Sequence, residues 1–122
     1  MSTDCIFCKI VAGEIPASKV YEDNEFVAFR DINPAAPIHI LLIPKAHIET
    51  LVDCDTPERA AMLGRMMALA PQIAFENGAP DMPQGGFRVL MNVGPDGGQE
   101  VYHMHLHILA GPRPWRGLAE GH

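Results

Sequence analysis

Three histidines alternate with apolar residues near the end of the chain, in the run His103-Met104-His105-Leu106-His107. Successive side chains of a β-strand point to opposite faces, so a strand over residues 101–109 would place all three imidazoles on one face. The opposite, apolar face would consist of Tyr102, Met104, Leu106 and Ile108. Imidazole titrates near neutral pH, and such a row can therefore supply a nucleophile, an acid or a base. Alternating histidines can also bind zinc, and these residues alone leave the two alternatives equally open.

A glycine-rich loop precedes the histidines, with the sequence Asn92-Val93-Gly94-Pro95-Asp96-Gly97-Gly98-Gln99-Glu100. It offers backbone N–H groups, a side-chain amide and glycines that let the backbone approach an anion closely. Taken alone, Asp96-Gly97-Gly98 is typical of a hairpin turn. Beside three histidines, the loop favours phosphate binding.

A second group of candidate ligands stands at the start of the chain, where Cys5 and Cys8 form a Cys-x-x-Cys pair. Such a pair is a common half of a structural zinc site, which needs four ligands around a tetrahedron. The alternative is two half-buried thiols on a short helix. Cys54 has no evident partner in the sequence.

Composition excludes several classes of protein. The chain has 122 residues, of which 48% are hydrophobic, so we expect one domain over residues 1–122 with a core that needs no disulfides. A net charge of −6 argues against binding to a nucleic-acid polymer. No long apolar run and no secretory signal is visible, which predicts a cytoplasmic protein that does not enter a membrane.

The remaining pattern predicts an α+β fold, a mostly antiparallel sheet with one main helix and a short N-terminal helix. Strand-like runs cover residues 19–21, 26–30, 38–43, 87–92 and 101–109, and a short helix or turn lies within residues 5–15. The main helix should begin with Thr56 as its cap and Pro57 in its first turn, and it should end at Asn77-Gly78. Pro71 should kink or divide this helix.

The chain resembles the histidine triad (HIT) superfamily, whose signature alternates histidine with apolar residues as in His103-Met104-His105-Leu106-His107-Ile108-Leu109. Further matching segments are Ile6-Phe7-Cys8-Lys9-Ile10, Glu14-Ile15-Pro16, Ala28-Phe29-Arg30-Asp31-Ile32-Asn33-Pro34 and Pro37-Ile38-His39-Ile40-Leu41-Leu42-Ile43-Pro44. The segment Gly97-Gly98-Gln99-Glu100-Val101-Tyr102 resembles the Hint branch of that superfamily.

This resemblance implies a homodimer that hydrolyses nucleoside phosphoramidates and adenylated amines, with purine nucleotides preferred, through a covalent nucleotidyl-histidine intermediate. It implies that His105 is the nucleophile and that His107 and His39 flank it and the phosphate. It also implies that Asp31 binds the ribose and that Ile32 forms an apolar wall for the base. The phosphate side of the site would consist of Asn92, Gly98, Gln99 and Glu100. Some relatives have serine in place of Glu100, so for this residue only the backbone N–H carries over.

A subset of the superfamily holds a zinc ion, and the matching ligands here are Cys5, Cys8, His47 and His103. That zinc would be structural, and catalysis would require no cofactor. Met62, Met66 and Met67 have helical spacing and are expected in the core or at the dimer contact.

Three other hypotheses stay open. They are a dinucleoside polyphosphate hydrolase, a nucleotide-binding scaffold with incidental turnover, and a metalloenzyme whose zinc ligands are the triad itself. The tail after Trp115 differs among relatives, so the sequence does not identify the physiological substrate.

Overall fold

The fold is built on a five-stranded sheet in which every neighbouring pair of strands is antiparallel, in the order β1-β2-β3-β5-β4. The computed structural model describes residues 5–113. The strands are β1 (Lys19–Glu22), β2 (Phe26–Arg30), β3 (Ile38–Pro44), β4 (Arg88–Leu90) and β5 (Leu106–Ala110). A short helix α1 (Ile6–Val11), a 3-10 turn (Leu51–Asp53) and the main helix α2 (Pro57–Glu76) complete the described elements. The predicted α+β class is confirmed.

The main helix begins and ends where its capping residues predict. The Thr56 side chain accepts a hydrogen bond from the Arg59 N–H at 3.2 Å. This satisfies one of the N–H groups that a helix N-terminus leaves without an intrahelical partner. At the other end the chain leaves the helix through Asn77 and then Gly78, whose φ of +106° favours glycine. Pro71 lies inside one continuous helix, so α2 is not divided there.

One face of the sheet packs under α2. Side chains at alternate positions of β3 and β5, such as Ile40, Leu42 and Ile108, form a buried core with Met66 and Ile73 of the helix. Burial of these side chains is the main favourable contribution to the stability of the fold.

The opposite face of the sheet packs under α1. Leu41 and Ile43 of β3 lie there, together with Phe7 and Ile10 of the short helix. Because strand side chains alternate, His39 points to the same face as Leu41. His39 and His107 are diagonal neighbours, because Leu41 pairs with His107 and His39 pairs with Leu109. The sheet therefore brings two histidines, distant in sequence, together on the α1 face.

The last strand is shorter than the sequence predicts. The strand β5 begins at Leu106, which pairs with Leu42, so the prediction of a strand over residues 101–105 is wrong. Two residues further along β3 the ladder meets Pro44, which has no N–H to donate. Residues 101–105 leave the sheet, and the Met104 N–H bonds instead to the Ile48 carbonyl at 2.7 Å. His103 and His105 therefore lie on an irregular segment that leads into the strand.

Tyr102 departs from its predicted place on the apolar face for the same reason. It is 38% exposed, whereas Met104, Leu106 and Ile108 are buried in the core as predicted. Among residues 5–113, no helix is long and apolar enough to cross a bilayer. The single-domain organisation and the cytoplasmic location stay predictions.

Candidate active site

A cavity of about 390 Å³ opens on the α1 face of the sheet and contains five of the predicted site residues. These lining residues are Asp31, Ile32, Glu100, His105 and His107. The walls that the sequence did not predict include the apolar residues Phe7, Phe29 and Leu41, together with the polar residues Arg30 and Asn33. The Phe7 ring meets the His105 ring edge-on, with ring centroids 5.1 Å apart. The sequence could have indicated this wall, because Phe7 belongs to an apolar helix turn beside the cysteine pair.

A backbone hydrogen bond determines which ring nitrogen of His105 carries the proton. Its Nδ1 lies 2.9 Å from the carbonyl oxygen of His103, and a carbonyl can only accept a hydrogen bond. Nδ1 therefore carries the ring proton, and Nε2 of the neutral ring keeps its lone pair. Burial lowers the pKa of His105, although the His103 carbonyl and the charges of Asp31 and Glu100 oppose that shift. The neutral, nucleophilic form of the ring is thus favoured at neutral pH.

A chain of hydrogen bonds fixes the proton positions on the other two histidines. The backbone N–H of Ala35 donates to Nδ1 of His39 at 3.0 Å, so that nitrogen is an acceptor. Nε2 of His39 must then carry the ring proton, and it lies 2.9 Å from Nδ1 of His107. By the same logic the neutral His107 ring carries its proton on Nε2. The turn at Ala35 thus determines which nitrogen of His107 is a donor, a role that the sequence did not reveal.

Asp31 has a local and a long-range role. One carboxylate oxygen accepts the Asn33 N–H at 2.9 Å, a turn typical of aspartate. The other oxygen lies 3.4 Å from Nε2 of His39. The adjacent Ile32 is 99% exposed, which leaves an apolar side chain available at the mouth of the cavity.

Most backbone N–H groups of the glycine-rich loop donate hydrogen bonds within the loop itself. The N–H groups of Gly97 and Gln99 donate to the Gly94 carbonyl at 3.2 and 3.0 Å. The N–H of Gly98 donates to the Pro95 carbonyl at 3.1 Å. These donors are used within the turn, so the hairpin-like alternative describes residues 94–99 better than an open phosphate cradle does.

The Gln99 side chain also serves the loop. Its oxygen accepts the Gly94 N–H at 2.9 Å, and its nitrogen donates to the carbonyls of Glu49 and Val101 at 2.7 and 3.0 Å. Neither Gly98 nor Gln99 lines the cavity, nor does Asn92. The amide nitrogen of Asn92 is nevertheless buried, with no hydrogen-bond partner among residues 5–113.

A separate cluster of sulfur and imidazole groups lies beside the cavity. The ligand atoms of Cys5, Cys8, His47 and His103 all lie within 4.8 Å of one another and could hold a metal ion. Nδ1 of His103 is 3.3 and 3.5 Å from the two sulfurs, and Nδ1 of His47 is 3.1 Å from the Cys8 sulfur. The structure therefore brings together all four residues predicted as metal ligands.

Two features of this cluster fit a bound cation. Nε2 of His103 lies 2.7 Å from the Pro44 carbonyl, so it carries the ring proton and leaves Nδ1 as a ligand lone pair. Burial and the adjacent Cys5 thiol raise the pKa of Cys8 to about 11. A cation among the sulfurs would compensate the charge that both thiolates bring.

Comparisons with known proteins show which proteins this chain is similar to. A model of the HIT domain family matches residues 12–113. The chain is 54% identical to Protein HitA of Neisseria gonorrhoeae over 109 residues, covering 89% of this chain and 97% of HitA. It is 46% identical to the purine nucleoside phosphoramidase of Escherichia coli strain K12 over 111 residues, covering 91% of this chain and 90% of that enzyme. A solved histidine triad protein from Clostridium difficile superposes with a TM-score of 0.84 at 47% identity, covering 93% of this chain and 96% of the other.

Proposed function

The chain belongs to the HIT family, and from that premise we propose that it is a hydrolase of purine nucleoside phosphoramidates and adenylated amines. The observation that carries the proposal is the pair of fixed proton positions in the cavity. Nε2 of His105 has a lone pair, and Nε2 of the neighbouring His107 carries a proton. A nucleophile and an acid of this kind are what cleavage of a phosphorus–nitrogen bond requires.

The first step uses these two atoms. The lone pair on Nε2 of His105 forms a bond to the α-phosphorus, and the phosphorus–nitrogen bond to the leaving amine breaks. The departing nitrogen takes the proton from Nε2 of His107, and the N–H of His39 that donates to Nδ1 of His107 stabilises the negative charge that the His107 ring acquires. The His103 carbonyl, hydrogen-bonded to Nδ1 of His105, stabilises the positive charge that the ring acquires.

The second step hydrolyses the nucleotidyl-histidine. The same imidazole pair, now short of a proton, accepts one from a water molecule as its oxygen attacks the phosphorus. The bond from phosphorus to Nε2 of His105 breaks, and the nucleoside monophosphate leaves. Asp31 binds the ribose hydroxyls with its carboxylate, and Ile32 packs against the base. Glu100 contributes its backbone N–H, and Asn92 its buried amide, to the phosphate side.

The substrate class is tested by comparing adenosine phosphoramidates with dinucleoside polyphosphates as substrates of the purified protein. We expect a higher kcat/KM for the phosphoramidates, with release of the amine. Faster cleavage of the polyphosphate would overturn the substrate class. Tight binding of adenosine monophosphate without hydrolysis of either substrate would instead support a nucleotide-binding scaffold.

We further propose that the Cys5, Cys8, His47 and His103 cluster holds a structural zinc ion. Its donors are two thiolates and two imidazoles, which zinc prefers, and together they would close a tetrahedron with no position for substrate. Such a site ties the N-terminal helix to the segment that carries the nucleophile. The reaction is therefore assigned to the histidines and not to the metal.

Metal analysis of Cys8→Ser, with Cys54→Ser as the matched control, tests this site. Cys8→Ser should lose zinc and melt at a lower temperature, while Cys54→Ser should keep its zinc. Activity of Cys8→Ser below its melting temperature should stay within about tenfold, the scale of outer-shell effects. Zinc retained in Cys8→Ser, or loss of all activity in the folded variant, would contradict a structural site.

We also propose a homodimer, as the resemblance implies. Met67 and Phe75 of α2 are 47% and 36% exposed, and an apolar helix face of this kind favours association. Met62 and Met66 are buried, so they belong to the core. Sedimentation at micromolar concentration should give a dimer that Met67→Lys weakens. A wild-type monomer would contradict the proposal.

A further inference from the structure

A second cavity of about 330 Å³ adjoins the cavity that contains His105. The two cavities share three lining residues, Ile6, Glu100 and Val101, which therefore lie at their common border. Beyond that border the second cavity is lined by Glu49 and Tyr102, and by Cys5 and His47 of the metal-ligand cluster. Neither Glu49 nor Tyr102 has a role in the two proposed chemical steps.

The covalent structure of a phosphoramidate determines where its leaving amine must bind. In a nucleoside phosphoramidate the phosphorus joins the nucleotide to the leaving amine, so the amine must occupy space adjacent to the nucleotide cavity. A larger cavity of about 660 Å³, near Arg88 and Arg113, shares no lining residue with the nucleotide cavity. The 330 Å³ cavity meets the requirement, and the larger one does not.

Apart from the metal-ligand residues Cys5 and His47, the lining of this cavity consists of two carboxylates and apolar or aromatic side chains. Glu49 and Glu100 are exposed carboxylates, and among the described residues neither lysine nor arginine lines the cavity. Ile6 and Tyr102 are 45% and 38% exposed, which leaves apolar surface available to a ligand. A ligand with an alkyl stem and a terminal cation would match both parts, because such chains bury the stem and keep the charge at a polar edge.

We propose that this cavity is the subsite for the leaving amine, and that Glu49 and Glu100 select amines that carry a second, positively charged group on an alkyl chain. The inference rests on the proposed phosphoramidase function and names the class of amine that this site favours. Both carboxylates are solvent-exposed, so each should change selectivity by only about two- to fivefold, and salt should reduce the effect.

The test compares three adenosine phosphoramidates whose leaving amines are putrescine, pentylamine and γ-aminobutyrate, which are cationic, neutral and anionic at their far ends. The quantity measured is the ratio of kcat/KM for putrescine to that for pentylamine. Comparing this ratio between variants cancels the different intrinsic reactivity of the amines. We expect the wild type to favour putrescine and to disfavour γ-aminobutyrate at low ionic strength.

The variants are Glu49→Gln and Glu100→Gln, with Glu58→Gln in the first turn of α2 as the matched control. The Glu49 substitution keeps the backbone carbonyl that Gln99 uses, so it removes charge without removing that contact. Each glutamine variant in the cavity should lower the ratio by about two- to fivefold, chiefly through KM. Glu58→Gln should leave the ratio unchanged.

Two results would overturn the inference, and they are distinguishable. If all three substrates are hydrolysed but Glu49→Gln and Glu100→Gln keep the wild-type ratio, the amine subsite is refuted and the phosphoramidase function stands. If the wild type hydrolyses none of the three, the proposed function fails and the subsite fails with it.

Discussion

Replacing His39 tests whether its hydrogen bond to His107 supports the transfer of a proton from His107 to the leaving amine. His39→Leu fills the buried position on β3 with an apolar side chain and removes the donor that lies 2.9 Å from Nδ1 of His107. Without that donor, His107 is no longer held in the form that carries its proton on Nε2. His39 does not touch the reacting atoms in this account, so it is a positioning residue.

The expected loss follows from the bond removed. A buried hydrogen bond contributes about 1 to 3 kcal/mol, at the upper end when one partner becomes charged, which corresponds to roughly 5- to 150-fold in rate. This loss should appear with pentylamine as the leaving group, since an alkyl amine cannot depart without a proton. With p-nitroaniline, a far weaker base, the loss should be no more than about threefold.

Steady-state kcat/KM on the two phosphoramidates is the assay, with melting temperature as a check on folding. Ile43→Val, on the same face of β3, is the control and should affect both substrates equally. His39→Gln, whose amide can donate, should recover part of the activity with pentylamine. Equal losses of His39→Leu on both substrates would refute a role of His39 in supporting His107 as the acid and leave His39 with a structural role only.

Three further predictions concern ribose binding, pH and the core. A nucleotide lacking both ribose hydroxyls should bind roughly ten- to a hundredfold more weakly to the wild type, and Asp31→Asn should largely remove this discrimination; equal wild-type affinities would exclude Asp31 from the ribose site. Burial holds the pKa of His105 below its usual value of about 6.5, so the neutral, nucleophilic ring persists to lower pH. The pH profile of kcat/KM should therefore stay level down to about pH 6.5 and fall only below it. A decline that begins above that pH would contradict the assignment of His105 as the nucleophile. Met66→Ala should lower the free energy of unfolding by about 2 to 5 kcal/mol, because this side chain is fully buried. Val52→Ala, at 72% exposure, should cost less than about 1 kcal/mol in denaturant titrations; similar costs would refute the packing of Met66 in the core.

Local signals were sufficient to predict the helix and the central strands. Thr56, Pro57 and Gly78 each carry a capping preference that needs no knowledge of the rest of the chain, and α2 begins and ends beside them. The apolar run of β3 likewise predicts a strand that is buried on both faces.

Features that depend on distant partners could not be predicted in the same way. The start of β5 is set by Pro44, about sixty residues earlier in sequence. The glycine-rich loop looks open in sequence, but Gln99 and the loop's own N–H groups close it into a turn.

The candidate site likewise has features that the sequence predicts and features that depend on distant partners. Alternation of His103, His105 and His107 identified the cluster, and all three are buried in the structure. The proton positions follow from backbone groups of His103 and Ala35, which no residue type can reveal. The cavity walls Phe7 and Phe29 come from α1 and β2, which only the packing of that helix on the sheet brings together.

Capture of the covalent intermediate shows whether His105 is the residue that carries the nucleotide. The protein is mixed with an adenosine phosphoramidate, quenched within one turnover under alkaline conditions that preserve phosphorus–nitrogen bonds, digested and examined by mass spectrometry. We predict one adenylyl group on His105 in the wild type and none in His105→Ala, which should still bind nucleotide but lose nearly all turnover. An adenylyl group on His107 or His39, or substantial turnover by His105→Ala, would contradict the account.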